Sequence, residues 1–210
     1  MIKHILFDLD GTLYSMKGGM DDFFRMRLWG FTSSWLGISL DEYKILWKEA
    51  MKVYGTTLEW LIKEKGFKDT EAFFAHVHPE SEIEFLPYDP ELRGFLENLP
   101  VPCSILTNSP IFHAERVIKQ LNLEGVFRQV YAIDDSGLGG KPHPSSYRRA
   151  LDDFGLKPKE MLYIDDLPRY VEGYINIGGR GLLFDEMDKY KDSPYDRILD
   201  IREIVKFLEN

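Results

Sequence analysis

The sequence predicts an α/β fold in which a doubly wound (Rossmann-like) parallel five-stranded sheet carries an inserted all-helical domain. Two observations predict it: short apolar runs alternate with helical patterns over most of the chain, and one long segment near the N-terminus interrupts that alternation. Apolar runs without a polar face are typical of parallel strands, which helices cover on both sides. Ligands of such sheets bind at the carboxyl ends of the strands.

The predicted strands are short apolar runs, and four of them end at acidic or small polar residues. Those four runs cover residues 2–7, 104–106, 130–133 and 161–164, and the fifth covers 181–184. Helical patterns follow at 111–121, 145–154 and 170–177, and a closing helix is predicted at 195–208. Because the polar residues stand at the carboxyl ends of the runs, the pattern indicates one site at that edge of the sheet.

The segment 15–86 is predicted to be an all-helical insertion. It is rich in Trp, Phe and Met at helical spacing, and its pattern contains no convincing strand. Ser39, with Glu42 three residues later, forms a capping-box pattern that opens one helix. Further helices are predicted at 21–36, 57–65 and 70–75. The expected domains are an α/β core, formed by residues 1–14 and 87–210, and a helical domain, formed by residues 15–86.

The composition is that of a globular protein able to bury a sizeable core, with 44% hydrophobic and 29% charged residues. A formal net charge of -9 argues against general attraction to nucleic acid or to anionic lipid, because both need basic surface. The single cysteine, Cys103, lies in an apolar run and is interpreted as a buried strand residue rather than a catalytic thiol. The N-terminal apolar run is too short for a secretory signal, so we expect a cytoplasmic protein without a membrane segment.

The first candidate for chemistry is Asp8-Leu9-Asp10-Gly11-Thr12, directly after the first apolar run. Once the strand ends at Gly11, the chain can turn so that both carboxylates face a common cleft. Two neighbouring carboxylates attract a hard cation, and Mg2+ prefers oxygen ligands. A metal there would also reduce the repulsion between an anionic nucleophile and a phosphate. The alternative interpretation is an ordinary polar turn after a strand.

Three further features argue against an ordinary turn. Thr107-Asn108-Ser109 ends the second run, where a hydroxyl can donate to a phosphate oxygen. Lys141 supplies a cation on a loop with two glycines before it and a proline after it. The pair Asp165-Asp166 ends another run and provides a further metal carboxylate. Each feature is weak alone, but their order and their placement at strand ends together favour a site that handles phosphate.

In this order, four segments resemble the four motifs of haloacid dehalogenase-like (HAD) superfamily phosphatases. The segments are Asp8-Leu9-Asp10-Gly11-Thr12, Thr107-Asn108, Lys141-Pro142 and Tyr163-Ile164-Asp165-Asp166. The resemblance covers essentially the whole chain outside the insertion. It is nearest to the pyrimidine 5'-nucleotidase-like branch, whose members also carry a helical cap after the first motif. Residues 15–86 are therefore identified as such a cap domain.

The resemblance implies a role for each matching residue. Asp8 would attack phosphorus and become an aspartyl phosphate, and Asp10 would protonate the leaving oxygen and then activate water. Thr107 and Lys141 would hold the phosphoryl oxygens and balance their charge. Mg2+ would be the cofactor, held by Asp8, by Asp10 through its carbonyl oxygen and by Asp166, with Asp165 auxiliary. The residues implied to bind substrate are Thr12, Asn108, Ser109 and Lys141.

The sequence departs from the family pattern near the metal. A Gly is common at the position of Asp165, so we assign Asp165 a supporting role around the metal. A further acidic residue is expected one turn later, where Arg169 and Tyr170 stand instead, and Glu172 is slightly late. Asp10 favours phosphate chemistry, because the dehalogenases of the superfamily generally lack a carboxylate at that position.

The leading hypothesis is a magnesium-dependent hydrolase of a small phosphorylated metabolite, with a nucleoside monophosphate as the favoured subclass. Phosphomutase-type transfer on a sugar phosphate would use the same four motifs, whereas a non-catalytic scaffold would have no use for a spaced nucleophile and acid. We expect a small-molecule phosphomonoester as partner, no nucleic acid and no membrane, and a monomer or homodimer. His113 lies near the predicted site, where it would either touch substrate or pack the end of a helix.

Overall fold

The structure is a computed structural model that describes residues 1–134 and 137–208. The chain divides into two compact units, Met1–Ser15 with Pro87–Asn210 and Met16–Leu86. We call the first the sheet unit, because it contains every named strand, and the second the helical unit. The helical unit is inserted after Ser15, so the sheet unit is discontinuous in sequence.

Among the described residues, six strands form one parallel sheet in the order β3-β2-β1-β4-β5-β6. The strands are β1 (His4–Phe7), β2 (Cys103–Leu106), β3 (Val130–Tyr131), β4 (Met161–Asp165), β5 (Arg180–Phe184) and β6 (Arg197–Ile198). The first strand, β1, lies in the middle of the sheet. Strands β2 and β3 follow on one side of it, and β4, β5 and β6 follow on the other. The direction of strand addition therefore reverses between the neighbouring strands β1 and β4, which is where doubly wound sheets bind their ligands.

The central strand β1 is buried along its whole length. Its residues are at most 1% exposed, and Ile5 is paired with Cys103 of β2 on one side and with Leu162 of β4 on the other. An unbroken apolar run suits a strand that is covered on both faces. Cys103 is itself a free, buried cysteine, so the prediction of a buried strand residue is confirmed.

The helical unit is built from helices that pack through aromatic side chains. Its α-helices are α1 (Met20–Leu36), α2 (Leu40–Ala50), α3 (Thr57–Lys65) and α4 (Thr70–Val77), and a 3₁₀ helix, Glu80–Phe85, follows. The predicted capping box is confirmed, because Ser39 accepts from the backbone of Glu42 and the backbone of Ser39 donates to the Glu42 carboxylate at 2.9 Å. Phe31 of α1 makes edge-to-face contacts with Phe67 and Phe73. No helix of the described residues is long and apolar enough to cross a membrane.

In its described residues the sheet unit has four α-helices, and a cluster of tyrosines fixes two of them on the sheet. The four helices are α5 (Leu92–Glu97), α6 (Ile111–Gln120), α7 (Pro144–Phe154) and α8 (Pro168–Ile175). Tyr147 of α7, Tyr163 of β4 and Tyr174 of α8 lie with their ring centroids 5.2 to 5.4 Å apart. Buried tyrosines need partners for their hydroxyl groups, and Tyr147 donates to the carbonyl of Tyr170 while Tyr174 donates to that of Pro158. The cluster therefore joins α7 and α8 to β4 through both apolar and polar contacts.

The C-terminal segment differs from the prediction. Residues 195–208 were expected to form a closing helix, but they contain β6 and then a 3₁₀ helix, Ile201–Phe207, so the prediction of five strands is wrong by one. Ile198, Ile201 and Ile204 are buried and recur every third residue. This spacing is compatible with an α-helix, and it is equally compatible with a short strand followed by a 3₁₀ helix. A two-residue edge strand carries no alternation of its own that could have separated these possibilities.

We predict that His4 makes the protein less stable in mild acid. Burial, with a smaller effect of Arg128, lowers the pKa of His4 to about 4 from 6.5, so the unfolded chain binds a proton in this window and the folded chain does not. The free energy of unfolding should therefore fall as pH drops from 6.5 towards 4, by up to about 1.4 kcal/mol per pH unit from this residue.

His4→Gln, which stays neutral throughout, should lose this part of the pH dependence. Urea unfolding of both proteins across the window measures it. Parallel curves for the native protein and the variant would contradict the assignment.

Candidate active site

Acidic and hydroxyl side chains from three adjacent strands meet at the carboxyl edge of the sheet. Asp8 directly follows β1, Thr107 directly follows β2, and Asp165 is the last residue of β4. The backbone N–H of Asp8 donates to the carbonyl of Ile164 at 2.8 Å, so the pairing of β1 with β4 extends to these residues. Parallel pairing itself therefore brings the predicted first and fourth motifs together.

The chain turns sharply after Asp8. Gly11 has φ 85°, a left-handed conformation that glycine adopts without steric cost, and the N–H groups of Thr12 and Leu13 both donate to the carbonyl of Leu9. The turn directs the hydroxyl of Thr12 back onto Asp8, to whose carboxylate it donates at 3.1 Å. Thr12, which the resemblance implied to bind substrate, is thus placed to support Asp8.

Lys141 is the buried cation of the site. Its ammonium group donates to Asp8 at 2.5 Å and to Asp165 at 2.8 Å, and its side chain is 1% exposed. The ring of Tyr170 lies 5.0 Å from the ammonium nitrogen and that of Tyr163 lies 5.8 Å away. Burial opposes the charge, but Asp165 and Asp8 outweigh it and raise the pKa of Lys141 above its ordinary value. Lys141 is therefore a permanent positive charge beside Asp8.

The loop that carries Lys141 is held by Asn108 and by close packing against glycines. The side-chain oxygen of Asn108 accepts from the backbone N–H of Lys141 at 2.7 Å, and its amide group donates to the Lys141 carbonyl at 3.0 Å. A methyl group on Gly140 would overlap the Asn108 side chain, and one on Gly173 of α8 would overlap Pro142. Asn108, which was expected to bind substrate, is therefore used to fix the lysine loop.

Asp165 is fully buried, and both of its carboxylate oxygens accept hydrogen bonds from the protein. One oxygen accepts from Lys141 and from the hydroxyl of Tyr163, and the other accepts from the backbone N–H of Leu167 at 2.9 Å. A carboxylate surrounded in this way orients its partners rather than reaching outward. The structure thus places Asp165 as the countercharge of Lys141.

Asp166 lies beside Asp8 and Asp165 in a crowded group of carboxylates. One oxygen of each lies within 4.8 Å of the others. Burial, together with Asp165 and Asp8, raises the pKa of Asp166 well above its ordinary value, and burial raises the pKa of Asp8 to about 7 although Lys141 opposes the rise. Lys141 alone does not balance this charge. Three crowded carboxylates, two of them with raised pKa values, are a donor set suited to a hard divalent cation.

Asp10 has a different environment from the other acids. Four of the described side chains donate to its carboxylate, and they are Tyr14 at 2.5 Å, His113 at 2.7 Å, Ser109 at 2.6 Å and Thr107 at 3.3 Å. Burial opposes its ionisation, but His113, Ser109 and Tyr14 outweigh burial and lower the pKa of Asp10 below its ordinary range. The Asp10 side chain is still 24% exposed, so part of it remains accessible.

The structure adds Tyr14 to the site and gives His113, Ser109 and Glu172 contacts other than the expected ones. Tyr14 stands four residues after Asp10, and the two residues form an isolated β-bridge, which gives no sequence signal. His113 was expected to touch substrate or to pack a helix end, and it contacts Asp10 instead. Ser109, expected to bind substrate, also donates to Asp10. Glu172, considered for the metal surroundings, hydrogen-bonds to Tyr195.

Comparison with known proteins gives the class of this α/β protein. The family model described as haloacid dehalogenase-like hydrolase matches residues 2–178. The chain therefore belongs to the haloacid dehalogenase-like hydrolase family, and the superfamily predicted from four short segments is confirmed. The narrower placement near the pyrimidine 5'-nucleotidase-like branch stays a prediction.

Three curated relatives and one solved structure illustrate the range of similar proteins. The (S)-2-haloacid dehalogenase of Xanthobacter autotrophicus is 25% identical over 85% of this chain and 73% of its own length. The phosphoglycolate phosphatase of Photorhabdus laumondii is 27% identical over 79% and 72%. The glyceraldehyde 3-phosphate phosphatase of Methanocaldococcus jannaschii is 24% identical over 100% and 99%. The crystal structure of a HAD phosphatase from Thermococcus onnurineus has a TM-score of 0.66 and 22% identity, over 99% of this chain and 98% of that one.

We predict that Lys141→Met is strongly destabilising. The change leaves Asp8 and Asp165 buried without their cation, and breaking a buried pair from one side costs about 3–5 kcal/mol of unfolding free energy. Adding Asp165→Asn to the same protein should recover part of this loss, because one uncompensated charge is then removed. Urea unfolding measures both.

Lys3→Met is the matched control. Lys3 pairs with Glu160 at 2.7 Å, but its side chain is 58% exposed, so its loss should cost less than about 1 kcal/mol. Equal losses for the two lysines would show that the Lys141 contacts do not carry the stability assigned to them.

Proposed function

We propose that this chain is a magnesium-dependent phosphomonoester hydrolase that works through an aspartyl phosphate on Asp8. One observation carries the proposal: a permanently charged, buried Lys141 contacts Asp8, while a second, partly exposed acid, Asp10, stands two residues further on in a separate set of hydrogen bonds. Phosphoryl transfer needs a nucleophile beside a cation, and it needs a second acid whose surroundings give it a different proton affinity.

In the first step, a carboxylate oxygen of Asp8 forms a bond to phosphorus while the bond from phosphorus to the ester oxygen breaks. Asp10 is ionised in the free protein, so it first takes up a proton from solvent. The ester oxygen then takes this proton from the Asp10 carboxyl group and leaves as the alcohol. In the second step, water attacks phosphorus and gives its proton to Asp10, while the bond between phosphorus and Asp8 breaks. Inorganic phosphate leaves, and the proton that Asp10 gains from water in this step returns to solvent. Both acids regain their starting states, and the net reaction is hydrolysis of the ester.

The surroundings of Asp8 support its role as nucleophile. Thr12 and Lys141 each donate to one of its oxygens, so the carboxylate is held in one orientation before substrate arrives. The ammonium group of Lys141 also offsets the negative charge of the incoming phosphate, whose attack by an anion would otherwise be disfavoured. Thr107, at the end of β2, completes the residues that we propose to contact the phosphoryl oxygens.

The donor set fits Mg2+, and we propose that Asp8, Asp166 and the carbonyl oxygen of Asp10 hold it. Asp165 would support the metal site indirectly, because its oxygens already accept from Lys141, Tyr163 and Leu167. When bound, Mg2+ supplies positive charge that reduces the repulsion between nucleophile and phosphate. The raised pKa values of Asp8 and Asp166 support this assignment, because a cation favours the ionised acids that crowding disfavours.

The proposed substrate is a small phosphorylated metabolite. The relatives named above include phosphatases of phosphoglycolate and of glyceraldehyde 3-phosphate, which are both small phosphate monoesters. A nucleoside monophosphate remains the subclass that the resemblance to the nucleotidase-like branch suggests. We propose further that residues 15–86 form the cap domain that selects among such substrates.

We predict that the purified chain releases phosphate from a panel of small phosphate monoesters only when Mg2+ is present. Asp8→Asn should lower kcat by at least about 10⁴-fold, because removal of a nucleophile leaves only binding and charge stabilisation. Phosphate release with and without EDTA measures the metal requirement, and acid quenching of the native enzyme traps the aspartyl phosphate.

Asp153→Asn is the control for this test, since Asp153 of α7 accepts from Tyr131 of β3 and takes no part in the proposed chemistry. Absence of turnover over the whole panel with Mg2+ would refute the proposal. Release of halide from a 2-haloacid, without phosphate release, would instead assign the chemistry of the Xanthobacter relative.

We predict that Gly140→Ala lowers phosphatase activity by about tenfold or more while the chain stays folded. The added methyl group would displace the Asn108 side chain, which holds the backbone of Lys141, and a misplaced catalytic group can cost about 10²-fold in rate. Steady-state kinetics and a melting curve measure the two effects separately.

Gly94→Ala is the matched control, because Gly94 lies in α5 and nothing stands within 4 Å of an added methyl group. It should leave kcat unchanged and stabilise the helix by about 0.5–1 kcal/mol. Unchanged kcat in Gly140→Ala would show that the lysine loop tolerates the displacement of Asn108.

A further inference from the structure

The four donors to Asp10 come from different parts of the sheet unit. Thr107 and Ser109 follow β2 and bind one carboxylate oxygen, Oδ2. Tyr14 and His113 bind the other, Oδ1. The four donor residues are at most 6% exposed, whereas the Asp10 side chain is 24% exposed. The donors therefore hold the Asp10 carboxylate from its buried side and leave its exposed side accessible.

The contact from His113 differs from the other contact to Oδ1. Tyr14 belongs to the same turn as Asp10, with which it forms a β-bridge, so Tyr14 moves together with Asp10. His113 is in the first turn of α6, where its backbone N–H donates to the carbonyl of Pro110 at 3.1 Å. An ionised carboxylate only accepts, so the Nε2–H of His113 donates across 2.7 Å. His113 thus ties Oδ1 to an element separate from its own turn.

We propose that His113 is a positioning residue of the phosphatase reaction, which sets the orientation of the Asp10 carboxyl group for proton transfer to the leaving oxygen. This inference rests on the proposed function and adds one residue to it. An aspartate side chain has two rotatable bonds, and proton transfer requires the carboxyl group within hydrogen-bond reach of the ester oxygen. Because Oδ2 is held from the loop after β2 and Oδ1 from the first turn of α6, both carboxylate oxygens are fixed by residues outside the turn that carries Asp10.

The role of His113 predicts a dependence on the leaving group. An alkyl phosphate has a poor leaving group, so its oxygen needs the proton from Asp10. An aryl phosphate such as 4-nitrophenyl phosphate has a good leaving group and needs little help. Loss of the His113 contact should therefore slow formation of the aspartyl phosphate from the alkyl ester far more than from the aryl ester.

The experiment compares single-turnover formation of the aspartyl phosphate from these two esters in rapid-quench measurements with Mg2+. His113→Leu removes the donor and should lower the rate for the alkyl ester by about 10²-fold or more. For the aryl ester the loss should stay below about tenfold, which is the scale of one hydrogen bond. The KM of both esters should change little, because His113 touches Asp10 and not the phosphate.

Two further variants separate positioning from packing. His113→Gln places an amide N–H at the same reach as Nε2 and should restore the alkyl rate to within about tenfold of native. His4→Leu is the matched control: His4 is also 1% exposed and its Nε2 contacts Ser104 at 2.9 Å, so its loss should lower stability and leave the ratio of alkyl to aryl rates unchanged. If His113→Leu does not fold, His113→Asn takes its place, with a polar side chain too short to reach Asp10.

Each outcome bears on the inference. A selective loss on the alkyl ester that Gln restores supports it. An unchanged alkyl rate without the donor, equal losses on both esters, or a Gln variant as impaired as Leu would overturn the positioning role while leaving the phosphatase proposal intact. A native protein that hydrolyses neither ester would instead refute the proposed function, and the role of His113 with it.

Discussion

The contact of the Lys141 ammonium group with Asp8 and Asp165 is the interaction on which the edge of the sheet depends. A buried cation is stable only beside anions, and here both anions are supplied by neighbouring parallel strands. Because Phe7 pairs with Ile164, the next residues of β1 and β4 stand side by side without help from any loop. Asn108 and the glycines then bring the lysine to them. Pairing of β1 with β4 therefore positions Asp8 and Asp165, and packing of the loop positions the Lys141 ammonium group.

The acids of this edge fall into two groups with different surroundings. Asp8 and Asp165 are buried and share one cation, whereas Asp10 is held by neutral and imidazole donors that favour its ionised form. Such a division lets residues only two positions apart in sequence perform different chemistry, since the surroundings rather than the residue type set the proton affinity. Burial, together with neighbouring carboxylates, raises the pKa values of Asp8 and Asp166, which is a cost to folding that a bound cation would offset.

Much of the fold and of the site could be predicted from sequence, for physical reasons. Apolar runs that end in Asp or Thr indicate buried parallel strands. Helix α3 has the bounds that the sequence predicted, because residues at both of its ends favour helix termini. The placement of Asp8, Thr107 and Asp165 at one edge of the sheet followed from strand order, whereas Lys141 reaches Asp8 and Asp165 from a loop. The hydrogen-bond partner of each polar group could not be predicted from strand order, because it depends on the direction of the side chain. Asn108 bonds to the backbone of Lys141, and Thr12 donates to Asp8. The edge strand β6 was not predicted because a strand of two residues is too short to show the alternation of apolar and polar residues that identifies a strand.

The central strand comes first in the chain, and its partners come much later. Ile5 pairs with Cys103 and with Leu162, so β1 cannot complete its hydrogen bonds until most of the polypeptide has left the ribosome. Until then the nascent chain exposes an apolar strand with two open edges, which is a template for aggregation. Pairing across such long sequence separations also slows spontaneous folding. Strand β1 is therefore exposed to mispairing until β4 has been made.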